Sequence, residues 1–458
     1  AESGTYNDFV NINIGGVDRE GRDVVSEVSY LLLEVVDEMH LLQPGSNIQL
    51  SVQNPDEFLR AACRVISRGY GYPSVFNADM VVEEQVRVGK SLADAREGGT
   101  SGCVETGCFG KEAYVLTGYL NLPKILELAL NDGRDPRTGR QLGPQTGDPR
   151  ALRNYDALYA AFEAQLRHVV GVKLQGNDTI ERLYAERMPA PFLSAIIDDC
   201  IAKGQDYNAG GARYNTRYIQ GVGIGTITDS LSAIRQHVYA EGDLTMDALL
   251  QALQDDFGDE ATRLLLANRT ARYGNDDDGA DAIMQQVFES YYRVVEGRPA
   301  VCGGEYHIDM LPTTCHIYFG ACMGASADGR RAGQPLSEGI SPVQGADRRG
   351  PTAVVRSAAK MDHRRTGGTL LNQKLMPALV RSEAGLEGLM QLIRGYFRLG
   401  GHHIQFNVVD GETLRAAQAD PQHYRDLIVR VAGYSDYFCD LGPALQEEII
   451  ARTEQQAF

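Results

Sequence analysis

The sequence has no excess of basic residues, no long apolar run and no clustered cysteines, and each absence removes a class of function. Lys and Arg number 44 against 61 Asp and Glu, a net charge of −17, and the pI is near 5.0. So acidic a chain has no electrostatic footprint for nucleic acid or for an anionic membrane as its main partner. The densest apolar stretch, Val24 to Leu42, is interrupted by Glu27, Glu34, Asp37 and Glu38, so no membrane span is expected. No basic start followed by an apolar run reads as a secretory signal. The eight cysteines, at 63, 103, 108, 200, 302, 315, 322 and 439, are scattered as free thiols in a reducing cytoplasm would be, not set at scaffold spacings. There is no Cys-x-x-Cys pair. Cys315-His316 with Cys322 matches no common zinc spacing, so no metal site is expected. The acidic run Asn275 to Asp278 lacks the alternating ligands of a calcium loop and reads as a solvated turn or helix start.

What is present is ordinary globular material in a regular rhythm. The 458 residues are 43% hydrophobic and 23% charged, enough for a sizeable core and roughly three domains' worth of mass. Val24, Val28, Leu31, Leu32, Val35, Val36 and Met39 fall at helical spacing, and Pro44-Gly45 ends that helix. Ile48, Leu50 and Val52 alternate as a strand. Asn54-Pro55-Asp56-Glu57 then predicts an N-cap, a proline at the first helical position and an acidic first turn. A turn and strand over 69–77 and a helix over 79–90 follow. Towards the end, helices are expected near 386–399, 412–419 and 444–453, with strands over 403–409 and 427–431. This alternation predicts an α/β fold with a well-buried sheet.

Two segments break the rhythm. Residues 98–110 (GGTSGCVETGCFG) hold five glycines in 13 residues. Residues 326–350 are rich in Gly, Pro and Arg without periodicity, and mark a boundary between a first domain, 1–327, and a C-terminal domain, 328–458. In the first segment, glycines let the backbone take positive φ and approach other groups closely. Cys103 with Glu105 two residues on could present a thiol and an acid/base to one cavity; a buried, inert cysteine is the alternative. Near the end, Gly433 follows the apolar run Val429 to Val431, where a tight turn is the plain reading. Gly-Val-Gly-Ile-Gly at 221–225 is a weak nucleotide-binding hint with no partnered acidic residue.

Taken together, the two segments resemble the active loops of glycyl radical enzymes. In that family a cysteine loop carries the thiyl-forming cysteine, here Cys103. An Arg-Val-x-Gly-Tyr motif carries the glycine that stores the radical, here Gly433 within Arg430 to Tyr434. Thr228 to Leu231, Asp328 to Gly333, Gly339 to Pro342, Leu371 to Lys374 and Ile404 to Asn407 extend the resemblance over nearly the whole chain. Val104 replaces the second cysteine of a pyruvate formate-lyase-type relay, so that activity is disfavoured. Cys-Val-Glu fits the eliminase branch, in which the residue at Glu105 is the acid/base. The run Thr106 to Tyr114 is similar to the hydroxyproline dehydratases of that branch.

The resemblance implies a ten-stranded α/β barrel of two half-barrels, of which this chain is expected to hold the second, plus the glycine radical domain. It implies Cys103, Glu105 and Gly433 as catalytic residues, and contacts to a small, hydroxyproline-like substrate at Asp8, Phe9, Tyr119 and Thr314, with Thr313 as the alternative to Thr314. It implies no bound cofactor, a radical S-adenosylmethionine activating enzyme as partner, and a homodimer in the cytoplasm.

Overall fold

The computed structural model describes residues 10–40 and 42–458, so the expected contacts at Asp8 and Phe9 lie outside the described residues. The chain divides into two compact units whose sequences interleave. One takes residues up to Phe109 together with Asp309–Thr314 and Gly339–Phe458; the other takes Gly110–Ile308 and Cys315–Glu338. Compactness therefore cuts the chain elsewhere than at 327/328. The cause is one sheet of the first unit, which draws strands from both ends of the sequence.

That sheet runs in the order Asn11–Gly15, Gly45–Leu50, Ser74–Asn77, His403–Val408, Asn372–Leu375, Glu454–Gln455. The first three strands are parallel to one another, as are the last three. The join between Ser74–Asn77 and His403–Val408 is antiparallel. Gly45–Leu50 and His403–Val408 are buried along their whole length, as strands covered on both faces should be. Their two faces nevertheless differ in chemistry. Ile48, Leu50, Ile404, Phe406 and Val408 alternate with Asn47, Gln49, His403, Gln405 and Asn407. Buried amides persist only where they are hydrogen-bonded, so this polar face has something to hold.

Helices Asp56–Ile66 and Glu383–Arg398 pack on each other and bury Phe58, Leu59, Ala62, Leu386, Leu389 and Ile393. The first starts one residue later than the sequence predicts. Pro55 holds the N-cap place, because Asn54 turns its carbonyl oxygen to the Ser51 and Gly16 amides and its NH2 to Gly16 O and Asp23. Helix Glu27–Met39 forms as expected, but of its residues only Ser29 and Leu33 are buried; Val28, Leu31, Val35 and Met39 stay exposed.

In the second unit a four-stranded sheet orders Glu112–Asn121, Tyr214–Val222, Glu305–Asp309 and Arg298–Pro299. Tyr119 is half-buried on the first of these, in register with Gln220. The 33-residue helix Tyr155–Arg187 starts where Asn154 accepts from the Ala157 amide. Asp277 likewise caps Asp278–Val295, so the acidic run is a helix start. Gly223 joins Tyr214–Val222 to the buried helix Ile224–Ala233 at φ +86, and a Cβ there would meet Pro123 Cγ at 2.7 Å. The glycine run is a packing joint filled by protein. Residues 326–350 contain no helix or strand, yet Ala327, Asp328, Arg330, Ser337 and Ile340 are buried. Among the described residues no helix is long and apolar enough to cross a membrane.

Candidate active site

Residues 98–110 fold into a hairpin. Gly99–Ser101 pairs antiparallel with Glu105–Gly107, leaving Gly102, Cys103 and Val104 at the tip. The Glu105 carboxylate folds back beneath that tip and accepts hydrogen bonds from the Cys103 N–H (2.6 Å) and the Val104 N–H (2.9 Å). Gly102 makes this possible twice over: its φ is +74, and a Cβ there would lie 2.7 Å from the same carboxylate oxygen. The sequence brought Cys103 and Glu105 to one loop, and the fold buries both, at 4% and 7% exposure.

Burial sets the charge state of both. It raises the Glu105 pKa above the ordinary carboxylate value, outweighing the backbone N–H bonds that favour the anion. The Cys103 pKa is pushed well above the usual thiol range, first by burial and then by Glu105; Arg430 and a hydrogen bond with the Thr313 side chain act the other way. A sulfur held as S–H is a poor nucleophile, since nucleophilic cysteines work as thiolates. It is well suited to give up a hydrogen atom. Thr313 itself sits at φ +51, unusual for a β-branched residue and a mark of local strain at a site.

The second loop is also a hairpin. Ile428–Arg430 pairs with Ser435–Tyr437, and the Val431 N–H donates to Tyr434 O across the turn (2.9 Å). Gly433 occupies that turn at φ +87. A Cβ built on it would lie 2.6 Å from the Cys103 Sγ, 2.6 Å from the Cys103 Cα and nearer still to the Cys103 Cβ. The Gly433 Cα is thus at most one C–C bond farther from the sulfur than that. Val431, Ala432 and Tyr434 are all within 1% of complete burial, so the contact is dry.

Arg430 anchors the glycine hairpin. Its Nε donates to Gln405 Oε1 (2.7 Å), another arm of the guanidinium donates to Ser74 Oγ, and the group lies 4.7 Å over the Tyr72 ring. Burial lowers its pKa below the ordinary guanidinium value.

The fold therefore brings Cys103, Glu105 and Gly433 together, although the glycine is far from the other two in sequence. Thr313, rather than Thr314, is the threonine that hydrogen-bonds the Cys103 side chain; Thr314 is half-buried beside it. Tyr119 belongs to the other compact unit. The sequence left Thr313 and Thr314 as alternatives, and the fold sets Thr313 against the Cys103 sulfur. One group with metal-ligating atoms occurs in the second unit, His237, Glu241 and Asp243. There His237 Nδ1 already bonds Asp243 (3.2 Å) and Nε2 bonds Thr270 Oγ1 (3.2 Å), so both ring nitrogens are engaged.

A thiol on one hairpin tip against a glycine on another is the arrangement of a glycyl radical protein, and the comparisons agree. The pyruvate formate lyase-like family model matches residues 1–320 and the glycine radical model matches residues 336–439. The chain belongs to the pyruvate formate lyase-like family and carries that family's glycine radical region. It is 58% identical over 455 residues to trans-4-hydroxy-L-proline dehydratase from Clostridioides difficile, a match covering 99% of this chain and 58% of that protein. The crystal structure of hydroxyproline dehydratase from Clostridioides difficile, with trans-4-hydroxy-L-proline bound, aligns with a TM-score of 0.98 over 99% of this chain and 58% of its own. The glycerol-bound B12-independent glycerol dehydratase from Clostridium butyricum is 39% identical, with a TM-score of 0.95 over 98% of this chain and 57% of its own. The chain spans a little over half the length of these relatives.

Proposed function

We propose that the whole protein is a glycyl radical hydro-lyase that removes water from trans-4-hydroxy-L-proline to give 1-pyrroline-5-carboxylate. The observation that carries this reading is the buried contact between the Cys103 sulfur and Gly433. The likeness to hydroxyproline dehydratase supports the choice of substrate.

Gly433 stores the radical. Its Cα spin is delocalised onto the flanking amide nitrogen and carbonyl, and no side chain twists the backbone out of plane. Gly433 takes the hydrogen atom from Cys103, leaving a thiyl. The thiyl takes a hydrogen atom from the substrate carbon that lies between the ring nitrogen and the hydroxyl-bearing carbon. Glu105, whose pKa burial raises, gives its proton to the departing hydroxyl as the C–O bond breaks. Water leaves, the ring carbon–nitrogen bond becomes double and the spin moves to the carbon that lost the hydroxyl. Cys103 returns its hydrogen atom there, and loss of the N–H proton restores Glu105. Gly433 then gives its α-hydrogen back to the sulfur. The dry hairpin contact excludes water from the radical.

On the same reading, residues 328–458 act as the glycine radical domain, and the protein is a cytoplasmic homodimer that needs no bound cofactor. A radical S-adenosylmethionine enzyme removes the Gly433 α-hydrogen to start the cycle. Tyr119 and Thr314, with Asp8 and Phe9, are the proposed substrate contacts. The test is anaerobic activation followed by EPR and an assay for pyrroline-5-carboxylate. An EPR doublet with hydroxyproline turnover is expected. A doublet with turnover only of a diol or an amino alcohol in a substrate panel would reject the substrate and keep the lyase. Failure of the activated protein to form any radical would reject both.

A further inference from the structure

The two hairpins are gripped by the same sheet face in the same way. Asn13 meets Thr100 of the cysteine hairpin at two points: the Thr100 N–H donates to Asn13 Oδ1 (3.0 Å) and Asn13 Nδ2 donates to Thr100 O (2.9 Å). Asn407 meets Arg430 of the glycine hairpin identically: the Arg430 N–H donates to Asn407 Oδ1 (2.7 Å) and Asn407 Nδ2 donates to Arg430 O (2.7 Å). In each case a side-chain amide stands in for one rung of a β-ladder. The backbone donor and acceptor fix which way each amide faces.

Each clamp is itself braced. Gln49 Nε2 donates to Asn13 Oδ1 (2.8 Å) and to Thr100 Oγ1 (2.9 Å). Gln405 donates to Asn372, which donates to Val431 O (3.1 Å), while Arg430 Nε donates to Gln405 Oε1 (2.7 Å). At the cysteine tip, Asn47 donates to Asn11 (3.1 Å) and Asn11 to Gly102 O (3.0 Å). Asn11, Asn13, Asn47, Gln49, Asn372, Gln405 and Asn407 all project from one face, as the strand register requires.

We propose that Asn13 and Asn407 are positioning residues that set the gap between the Cys103 sulfur and the Gly433 α-carbon. The inference rests on the radical relay proposed above. Hydrogen-atom transfer needs the two atoms near contact, and a displacement of about 1 Å in a reacting pair costs on the order of 10²-fold in rate. Each two-point clamp ties the backbone of its hairpin to the common sheet, alongside the single bonds from Asn11, Gln49, Asn372 and Gln405, so lengthening either clamp moves one tip relative to the other.

Asn407→Gln and Asn13→Gln test this. Each keeps both hydrogen-bonding functions and adds one methylene. The protein is activated anaerobically in H2O and in D2O, and three quantities are read: EPR spins per chain, collapse of the doublet as deuterium enters Gly433, and turnover. The collapse reports the relay directly, because the sulfur exchanges its hydrogen with solvent and then trades it with the glycine. The expected result is a folded variant with spin count within about twofold of the parent, deuterium entry slowed at least tenfold, kcat reduced on the order of 10²-fold and KM unchanged. Unchanged exchange and kcat in folded variants, or a rise in KM alone, would overturn the proposal. Failure of both variants to fold would assign the clamps to stability and overturn it too. A parent protein that forms the doublet but shows no exchange would instead sink the relay reading itself, and the clamps with it.

Discussion

The cysteine hairpin and the glycine hairpin are built on one plan and use it for opposite ends. Each pairs two three-residue strands, and each has a glycine at positive φ in its turn, Gly102 at +74 and Gly433 at +87. At Gly102 the missing Cβ makes room for the hairpin's own carboxylate, Glu105. At Gly433 it makes room for the sulfur of the other hairpin. One loop is thus folded around a titratable acid. The other is held by Arg430, whose charge does not change at ordinary pH, and offers bare backbone. On the proposed function, the difference separates two tasks that share one contact: proton transfer is confined to the first hairpin and spin storage to the second.

Substitution at the glycine is the most direct way to break this division. Gly433→Ala should abolish the EPR doublet and all turnover. It should also lower the melting temperature, because φ +87 costs alanine about 1–3 kcal/mol and its Cβ collides with Cys103. Cys103→Ser should leave the doublet in place and abolish turnover, since the serine O–H bond is too strong to yield its hydrogen to a glycyl radical. A Cys103→Ser protein that still dehydrates substrate would contradict the division.

Glu105→Gln should cost about 10²–10⁴-fold in kcat with the doublet retained, the range expected for one proton-transferring group. Its pH behaviour sharpens the contrast between the hairpins. The Glu105 pKa is raised in the fold above its ordinary value of 4.5, so the folded state holds the proton more tightly than the unfolded chain. Stability from this group is complete below about pH 4.5 and is lost as pH rises through the folded pKa. Glu105→Gln should flatten the stability profile over that window in thermal melts, and should remove the basic limb of kcat that follows loss of the acid's proton. Thr313→Val should have the smallest effect, a several-fold drop in kcat matching one hydrogen bond of about 1 kcal/mol, with Thr313→Ser restoring most of it.

Much of this was legible in the sequence because the cysteine segment breaks the surrounding helix–strand rhythm and, paired with Arg430 to Tyr434, resembles the two active loops of glycyl radical enzymes. The helices ending at Arg398 and Ala451 and the strand His403–Val408 follow directly from residue spacing. What sequence could not supply was the reason for polar residues in buried strands. Asn11 and Asn13, Asn47 and Gln49, and Gln405 and Asn407 recur at a spacing of two, a real signal of a polar sheet face, but their meaning depends on two hairpins that only the fold brings to it. Asn54 misled for a related reason: it has the residue type of an N-cap, and tertiary partners at Ser51, Gly16 and Asp23 claim its side chain instead. Between Thr313 and Thr314, only geometry makes the choice.

The sheet that carries both clamps has a consequence for biosynthesis. His403–Val408 sits between Ser74–Asn77 and Asn372–Leu375, so the outer edge of Ser74–Asn77 has no partner until a strand from far along the sequence has been made. Pairings so distant close slowly and leave open strands waiting. The thiol at 103 cannot meet its glycine until residue 433 has been made and its hairpin has closed on this sheet, so on the proposed function the long-range closure of the sheet is also the step that arms the protein for activation.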